Sequence, residues 1–328
     1  MTSASLIRLC LTTGDKDGIG LEVTAKALQS IGPQSGVQFF LWRSPESNVH
    51  DLDLIDSRFD RLTVNSWPEA LSIDMPYGNG LVDICSDLSP PEWVEISAKS
   101  AMFGQIHGIV TAPMSKVTIQ ESGFKQIGHT EILAKVTKSK FLFMAFVGDQ
   151  FNVLLATSHI PIKDVAKALT FEQLEAALTA SNTLRSWLPS PNNRKPLAVL
   201  GLNPHAGENG IIGDEESVIN SVINEFLKRN IPVVGPLVPD AAFFKQNWTK
   251  YAVFVCPYHD QGLIPFKMIH GQESGVHITM GLPFVRTSVD HGTAKDIFGL
   301  NKADSRSMAL AIQWAIDLIH RRKTGATP

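Results

Sequence analysis

Three histidines follow short apolar segments that are typical of β-strands. His159, His205 and His259 end the segments FNVLLATSH, LAVLGLNPH and YAVFVCPYH. In α/β proteins the carboxyl ends of the strands converge on one crevice, where ligands bind. Three imidazoles delivered there suit a borderline divalent cation with open coordination positions, and Asp260 could orient one of them. The spacing alone leaves open that the three are unrelated residues at strand ends.

A second group of residues could bind an anion. The segment Gly128-His129-Thr130-Glu131 opens a helix-like run, and backbone N–H groups at a helix start attract anions. Lys267 and Arg286 lie among apolar residues, where a charge normally has a partner, and Lys116 is a weaker candidate. A phosphorylated or carboxylated substrate would pair with these cations. An ordinary helix cap and structural salt bridges are equally compatible with these residues.

Two glycine-containing loops could hold a nucleotide. Residues 13–20, TGDKDGIG, resemble a phosphate-cradling loop between a strand and a helix. Their glycines match neither the dinucleotide fingerprint nor the Walker A motif, so a nicotinamide cofactor would have to bind in another way. The second loop, His291-Gly292-Thr293-Ala294, follows the strand-like VRTSV. Its composition alone favours a plain connecting loop.

The elements that must position these residues alternate between strand-like and helix-like segments. This alternation predicts an α/β fold in which mostly parallel sheets are flanked by helices. A chain of 328 residues is too long for one ordinary core, so we expect two α/β lobes. The predicted strands are 6–13, 37–42 and 108–113, and residues 141–157 form a hairpin with Gly148-Asp149 near its turn. One predicted helix starts near Leu21. The other predicted helices cover 93–105, 171–188, 214–229 and 305–322.

Local signals refine two of these helices. Thr170 with Gln173 fits a capping box at the start of the helix that ends near Leu188. In the helix 214–229, the acidic residues 214–216 are expected in the first turn and the basic residues 228–229 in the last, as the helix dipole favours.

Charge and cysteine content exclude several classes of protein. The formal net charge is −3, whereas nucleic-acid binders usually carry a basic excess. Three cysteines, widely separated and odd in number, predict neither a disulfide framework nor a metal knuckle, and they suit a reducing cytoplasm. We find no signal-peptide pattern and no run approaching the ~18 apolar residues of a membrane span. We therefore expect a cytoplasmic protein that acts on a small molecule.

Several segments together carry a family resemblance. They are TTGDKDGIGLE, VTAPMSK, GHTEILA, ATSHIP, GLNPHAGENGIIGDEE and the long block from YHDQGLIPFK through GVHITMGLPFVRTSVDHGTAKDIFG. In these segments, which span nearly the whole chain, the sequence resembles the 4-hydroxythreonine-4-phosphate dehydrogenases of pyridoxal phosphate biosynthesis. The resemblance implies a two-lobed α/β/α fold similar to isocitrate and isopropylmalate dehydrogenases, with the active site in the interlobe cleft. The first lobe would comprise residues 1–132 plus 285–328, with both termini and the nucleotide loop, and the second residues 133–284, with the metal ligands and the dimer interface.

The resemblance also assigns roles to residues. It implies a homodimer in which one divalent cation (zinc, magnesium or cobalt) is shared between subunits and held by His159, His205 and His259. The implied substrate contacts are His129, Thr130, Lys267, His277 and Arg286. The implied contacts to NAD or NADP are His291, Gly292, Thr293 and Ala294. Asp260 and Lys116 are the catalytic candidates, although neither is assigned as the general base.

The implied reaction is the metal-assisted, NAD(P)-dependent oxidation of 4-phosphohydroxy-L-threonine to a β-keto acid, which decarboxylates to 3-amino-2-oxopropyl phosphate. His277 departs from the family pattern, because GVHIT stands where GVNIT is usual. This departure leaves open a sister dehydrogenase that acts on a phosphorylated threonate or erythronate, or on a cis-diol carboxylate. Other classes that remain open are a metal-dependent phosphohydrolase, an acyltransferase that uses coenzyme A, and a non-catalytic binding protein. The choice between NAD and NADP and the identity of the metal also stay open.

Overall fold

The computed structural model describes residues 6–75, 79–271 and 274–323. The chain divides into two compact units, of which the first comprises Met1–Lys140, Gln272–His277 and Leu282–His320. The second comprises Phe141–Gly271, Ile278–Gly281 and Arg321–Pro328. The expected lobe boundary after residue 132 would cut the helix His129–Thr137, which is unbroken and falls within the first unit.

The regular elements are as follows. The strands are β1 Ile7–Thr12, β2 Val37–Arg43, β3 Asp60–Val64, β4 Gly80–Cys85, β5 Gly108–Thr111, β6 Phe143–Val147, β7 Val153–Leu155, β8 Leu197–Leu200, β9 Val233–Leu237, β10 Val253–Cys256, β11 Val276–Met280 and β12 Val285–Val289. The helices are α1 Gly20–Ile31, α2 Val49–Asp56, α3 Trp67–Ser72, α4 Pro90–Met102, α5 Lys116–Glu121, α6 His129–Thr137, α7 Val165–Ala168, α8 Phe171–Trp187, α9 Glu216–Lys228, α10 Pro239–Ala242, α11 Lys245–Trp248, α12 His259–His270 and α13 Arg306–Lys323. Short 3-10 segments cover Ile162–Asp164, Asn192–Arg194, Pro204–Gly210 and Lys295–Ile297.

The first unit is built on a parallel sheet. Its strands lie in the order β3-β4-β2-β1-β5-β12, and each neighbouring pair is parallel. Every residue of β2 is buried, as in a strand whose two faces are both covered. The pairing of β12 with β5 places Arg286 opposite Ile109, two residues before Thr111 at the end of β5.

The second unit is built on a mixed sheet. Its strands lie in the order β6-β7-β10-β8-β9, with β6 and β7 antiparallel and the others parallel. The predicted hairpin is confirmed, because Ala145 pairs with Leu154 and the turn includes residues 148 and 149. A core of aromatic and aliphatic side chains, with Phe151 in contact with Phe254 and Phe266, packs against this sheet.

The helix signals were only partly right. At α8 the Thr170 hydroxyl accepts the Gln173 N–H, but the Gln173 amide donates to the Ala156 carbonyl, so only half of the capping box forms. The helix predicted from residue 214 begins at Glu216, because the chain before it is still part of the preceding loop. The helix predicted from residue 93 begins at Pro90, where Ser89 and Glu92 form a capping box.

The described segments were also searched for membrane-spanning helices. None of their helices is both long enough and apolar enough to cross a bilayer.

The first unit contains a buried ion-pair network. The fully buried Asp83 accepts hydrogen bonds from Arg43 at 2.9 Å, from Arg61 at 2.7 Å and from Thr63 at 3.1 Å. Asp83→Ala should lower the free energy of unfolding by about 3–5 kcal/mol, since it leaves the buried Arg43 guanidinium without its carboxylate partner. Urea denaturation followed by circular dichroism measures this loss.

The matched control is Asp56→Ala. Asp56 pairs with the same Arg61, but its side chain is 43% exposed. Water can replace this contact, so its loss should cost at most about 1 kcal/mol. Equal losses for the two variants would show that burial does not govern the strength of this network.

Candidate functional site

Strand register brings His159 and His259 side by side. The parallel pairing of β7 with β10 continues beyond both strands, because the backbone N–H and the hydroxyl of Thr157 both donate to the Pro257 carbonyl, at 3.1 and 2.8 Å. Each histidine stands two residues beyond one of these partners. Their ring centroids are 5.5 Å apart, with 45° between the ring planes. The two imidazoles are therefore close enough to bind one ligand together.

Asp260 orients one of these rings. Its Oδ1 lies 2.7 Å from Nδ1 of His259, on the first turn of α12. A carboxylate in this position holds the proton on Nδ1 and leaves the Nε2 lone pair for a metal ion. The pair of imidazoles with its carboxylate fits a divalent cation by donor chemistry, with coordination positions left over.

His205 lies apart from this pair. It follows β8, in the 3-10 segment Pro204–Gly210, and its side chain is 62% exposed with Nδ1 3.7 Å from a carboxylate oxygen of Glu208. Within residues 6–75, 79–271 and 274–323 of the single chain, no group of three or more His, Cys, Asp or Glu residues is placed to hold a metal ion. One chain thus brings two of the three predicted ligands together and presents the third separately.

Arg286 is a buried cation in the first unit, and its hydrogen bonds go to neighbouring side chains. Its side chain is buried, NH1 donates to Nδ1 of His277 at 3.0 Å, and NH2 donates to the Thr111 hydroxyl at 2.6 Å. Burial lowers the pKa of Arg286 to about 9, so the group is still a cation at neutral pH. A buried cation is expensive, and a bound anion offsets that cost.

The imidazoles around Arg286 are neutral donors or acceptors. Burial, and then the positive charge of Arg286, lower the pKa of His129 to about 3. The Nε2 atom of His129, at the first residue of α6 and next to Thr130, is buried and has no hydrogen-bond partner among the described residues. Nδ1 of His277 accepts from Arg286 and lies 2.9 Å from the Ser288 hydroxyl, so the ring carries its proton on Nε2.

The lysines predicted for the site lie at the surface. Lys267 is exposed on α12 in the second unit. Lys116 is exposed at the first residue of α5 in the first unit. The residues that the structure assembles around the buried charge are therefore His129, His277 and Arg286.

The two glycine-containing loops are joined to each other. The Ile19 N–H donates to the Thr293 carbonyl at 3.1 Å, next to Gly292 and Ala294. Lys295 forms ion pairs with Asp15 at 3.1 Å and Asp17 at 2.7 Å, and the hydrogen bond to Asp17 is the main cause of its raised pKa. Nδ1 of His291 donates to the Gly292 carbonyl at 2.9 Å, which leaves Nε2 as the acceptor.

The sequence did not reveal four residues that shape these sites. Thr111 and Ser288 are ordinary strand residues, and Lys295 reaches partners about 280 positions earlier in the chain. Glu216 was noticed only as a favourable charge at a helix start, whereas its carboxylate binds the loop before His205. Each contact joins residues at least 11 positions apart, so no local pattern indicates it.

Comparison with known proteins agrees with these observations. The family model described as "Pyridoxal phosphate biosynthetic protein PdxA" matches residues 72–315. A 4-hydroxythreonine-4-phosphate dehydrogenase of Sulfurihydrogenibium sp. is 34% identical over 97% of this chain and 100% of its own length. A D-threonate 4-phosphate dehydrogenase of Pectobacterium atrosepticum is 35% identical over 94% of this chain and 98% of its own length.

Solved structures confirm the expected fold. A 4-hydroxythreonine-4-phosphate dehydrogenase from Burkholderia phymatum matches with a TM-score of 0.73 at 30% identity, covering 95% of this chain and 98% of that one. An isocitrate dehydrogenase from Methylococcus capsulatus matches with a TM-score of 0.50 at 13% identity, covering 98% and 87%, which is a likeness of fold alone. The chain therefore belongs to the family of the pyridoxal phosphate biosynthetic protein PdxA and is an oxidoreductase of the dehydrogenase type.

Proposed function

We propose that this protein is an NAD(P)-dependent, divalent-metal-assisted dehydrogenase that oxidises 4-phosphohydroxy-L-threonine. Hydride would pass to NAD⁺ or NADP⁺ with release of a proton, and the β-keto acid would lose carbon dioxide to give 3-amino-2-oxopropyl phosphate. The observation that carries this proposal is the pairing of His159 with His259, oriented by Asp260. The names of its relatives supply the substrate.

The metal ligands would be His159 and His259 of one subunit and His205 of the partner subunit. A shared site is supported by the wide exposure of His205 and by the lack of a third suitable ligand beside the histidine pair within the described part of the chain. An all-imidazole donor set favours zinc or cobalt over magnesium, which prefers oxygen ligands. The cation, when bound, would lower the pKa of the substrate hydroxyl and stabilise negative charge on oxygen.

Exposed apolar side chains support a homodimer around these ligands. Each histidine is followed within nine residues by isoleucine or methionine side chains that face solvent in the single chain: Ile160, Ile162, Ile211, Ile212, Ile264 and Met268. Ile211 is 84% exposed and Met268 is 78% exposed. Large apolar side chains left open to water in this way mark surfaces that another protein covers.

The pocket around Arg286 would hold the anionic groups of the substrate. The guanidinium supplies the charge, the neutral His129 and the Nε2–H of His277 supply hydrogen bonds, and Thr130 lies at the same helix start. We also propose Lys267 as a substrate contact. Anchoring the anionic groups fixes the position of the reacting carbon relative to the cofactor. The binding energy of these groups then offsets the entropic cost of bringing the reacting atoms together. Asp260 orients His259, and we assign no general base to it or to Lys116.

The joined loops would hold the dinucleotide. His291, Gly292, Thr293 and Ala294 would contact its adenosine part, and the ion pairs of Lys295 keep the loop 13–20 against them. NAD or NADP, when bound, supplies the hydride acceptor. We place the protein in the cytoplasm on the basis of its cysteine usage.

A second candidate is a sister dehydrogenase that acts on D-threonate 4-phosphate. The relatives of both names are about equally similar to this chain, at 34% and 35% identity. His277, which bonds directly to Arg286, stands where the resemblance expects asparagine. The imidazole of His277 is larger than the asparagine amide, so it changes the volume beside the bound anion. We expect this departure to alter substrate preference.

A substrate panel tests the function. With Zn²⁺ or Co²⁺ added, the protein should reduce NAD⁺ or NADP⁺ on 4-phosphohydroxy-L-threonine, measured by the absorbance of the reduced nicotinamide, and release equimolar carbon dioxide. A higher kcat/KM on D-threonate 4-phosphate would assign the sister activity. Release of inorganic phosphate without any nicotinamide would instead identify a phosphohydrolase.

Arg286→Ala tests the anion pocket. Loss of a charge-assisted contact to the phosphate should cost about 2–4 kcal/mol in transition-state binding, or roughly 30- to 1,000-fold in kcat/KM. Arg286→Lys should recover only part of this loss, because an ammonium cannot reproduce the planar fork. The control is the dephosphorylated substrate, on which parent and variant should differ little. A variant that is as active as the parent on the phosphorylated substrate contradicts this assignment.

Mixed dimers test the shared metal site. His205→Ala and His259→Ala chains, each inactive alone, are unfolded together and refolded as a mixture. Half of the dimers would be mixed and would contain one intact site, so about a quarter of the parent activity should return. The matched mixture of His159→Ala with His259→Ala should stay inactive, since both ligands come from the same side of the site. If neither mixture recovers activity, the proposal that the metal site is shared between subunits is contradicted.

A further inference from the structure

The loop that carries His205 is held in an uncommon backbone conformation. Five consecutive residues, His205 to Asn209, have positive φ angles of 54°, 54°, 77°, 47° and 58°. Gly207 adopts this left-handed region without steric penalty and Asn209 tolerates it, whereas His205, Ala206 and Glu208 each cost about 1–2 kcal/mol. Such a turn persists only where its surroundings hold it in place.

The carboxylate of Glu216 provides that hold. Its Oε1 accepts the backbone N–H groups of Leu202 at 2.9 Å and Asn203 at 2.7 Å. Its Oε2 accepts the Asn203 side-chain amide at 2.9 Å. The carboxylate is buried, and all of its side-chain hydrogen bonds among the described residues go to this one stretch of loop.

Glycines make room for the carboxylate on the loop side. A Cβ atom at Gly207 would lie 2.5 Å from Glu216 Oε2, and one at Gly201 would lie 3.3 Å from Oε1. At Gly213 a Cβ atom would lie 2.5 Å from the Asn203 amide nitrogen. The left-handed turn is thus packed directly against the carboxylate at the start of α9.

We infer that Glu216 is a positioning residue for His205. Its carboxylate links the rigid start of α9 to residues 202 and 203, from which the left-handed turn begins, and so fixes where the imidazole points. This inference rests on the proposed function, in which His205 completes a metal site with the partner subunit. Glu216 itself binds no metal ion in this assignment.

The variants are designed to separate positioning from folding. Glu216→Met keeps the length of the side chain but removes both acceptors, and Glu216→Asp keeps the charge but draws it back by one methylene. Glu216→Gln retains an oxygen that can accept both backbone N–H groups. Val222→Ala is the matched control, because it removes buried atoms from the same helix and lowers stability without removing an acceptor from the loop.

The measurement is Co²⁺ affinity, from titration of the visible absorption bands of the bound ion, together with thermal unfolding of each dimer. Glu216→Met and Glu216→Asp should each bind Co²⁺ about 10- to 100-fold more weakly than the parent, as is typical when a residue that orients a ligand is lost. Glu216→Gln should recover most of the affinity. Val222→Ala should lower the melting temperature but bind Co²⁺ like the parent.

Two results oppose the inference, and they are distinguishable. Parent-like Co²⁺ affinity in Glu216→Met and Glu216→Asp, while His205→Ala loses the ion, would overturn the role of Glu216 and leave the proposed function standing. Should Glu216→Met not fold, the same outcome in Glu216→Asp alone decides the matter. Parent-like affinity in His205→Ala would remove the metal role of His205, and the inference would fall with it.

Discussion

The parallel pairing of β7 with β10, continued through Thr157 and Pro257, is the constraint on which the second unit's chemistry depends. It sets His159 and His259 at the same level beyond two neighbouring strands. Strand β8 lies on the other side of β10, but there the Gln261 amide donates to the Gly201 carbonyl at 2.9 Å. His205 follows β8 in the 3-10 segment Pro204–Gly210, and the third imidazole is presented apart from the first two.

The main feature of the first unit is a positive charge that is removed from water. Arg286 is held between Thr111 and His277, and both of these partners are uncharged. The same burial that lowers the pKa of Arg286 keeps His129 neutral, with a pKa of about 3. The proposed anion pocket therefore includes the Arg286 charge together with the hydrogen-bonding side chains of Thr111 and His277. An anion gains more from such a pocket than from surface lysines, because little water competes for the guanidinium.

Much of this fold could be predicted from local sequence. Alternating or continuous apolar runs located β1, β2, β5 and the β6–β7 hairpin to within a few residues. Turn residues such as Gly148-Asp149 marked where the chain reverses. The positions of His159 and His259 after strands were also visible, since a strand that ends in polar residues leaves a clear boundary in the pattern.

What the sequence could not show depends on contacts between distant residues. Glu216 appears in the pattern as a favourable charge at a helix start, whereas in the structure its carboxylate accepts the backbone N–H groups of Leu202 and Asn203. Five left-handed residues cannot be predicted from PHAGEN, in which four of the relevant positions are not glycine. The role of Lys295 cannot be predicted locally, because its partners lie at the opposite end of the sequence. In each case the interaction that determines the structure joins two distant segments. The local sequence of either segment does not indicate that interaction.

The strain in the His205 turn has a physical rationale if the imidazole serves another subunit. A ligand on a flexible, exposed loop would lose conformational freedom on binding the ion, and that loss would weaken the site. A turn already held by Glu216, with Gly207 packed against the carboxylate, loses little when the ion binds. The strain is then offset once, during folding, by three hydrogen bonds to a buried carboxylate. His159 lies only two residues beyond Thr157, whose backbone N–H and hydroxyl both donate to the Pro257 carbonyl, so the sheet anchors the chain close to this imidazole without such a turn.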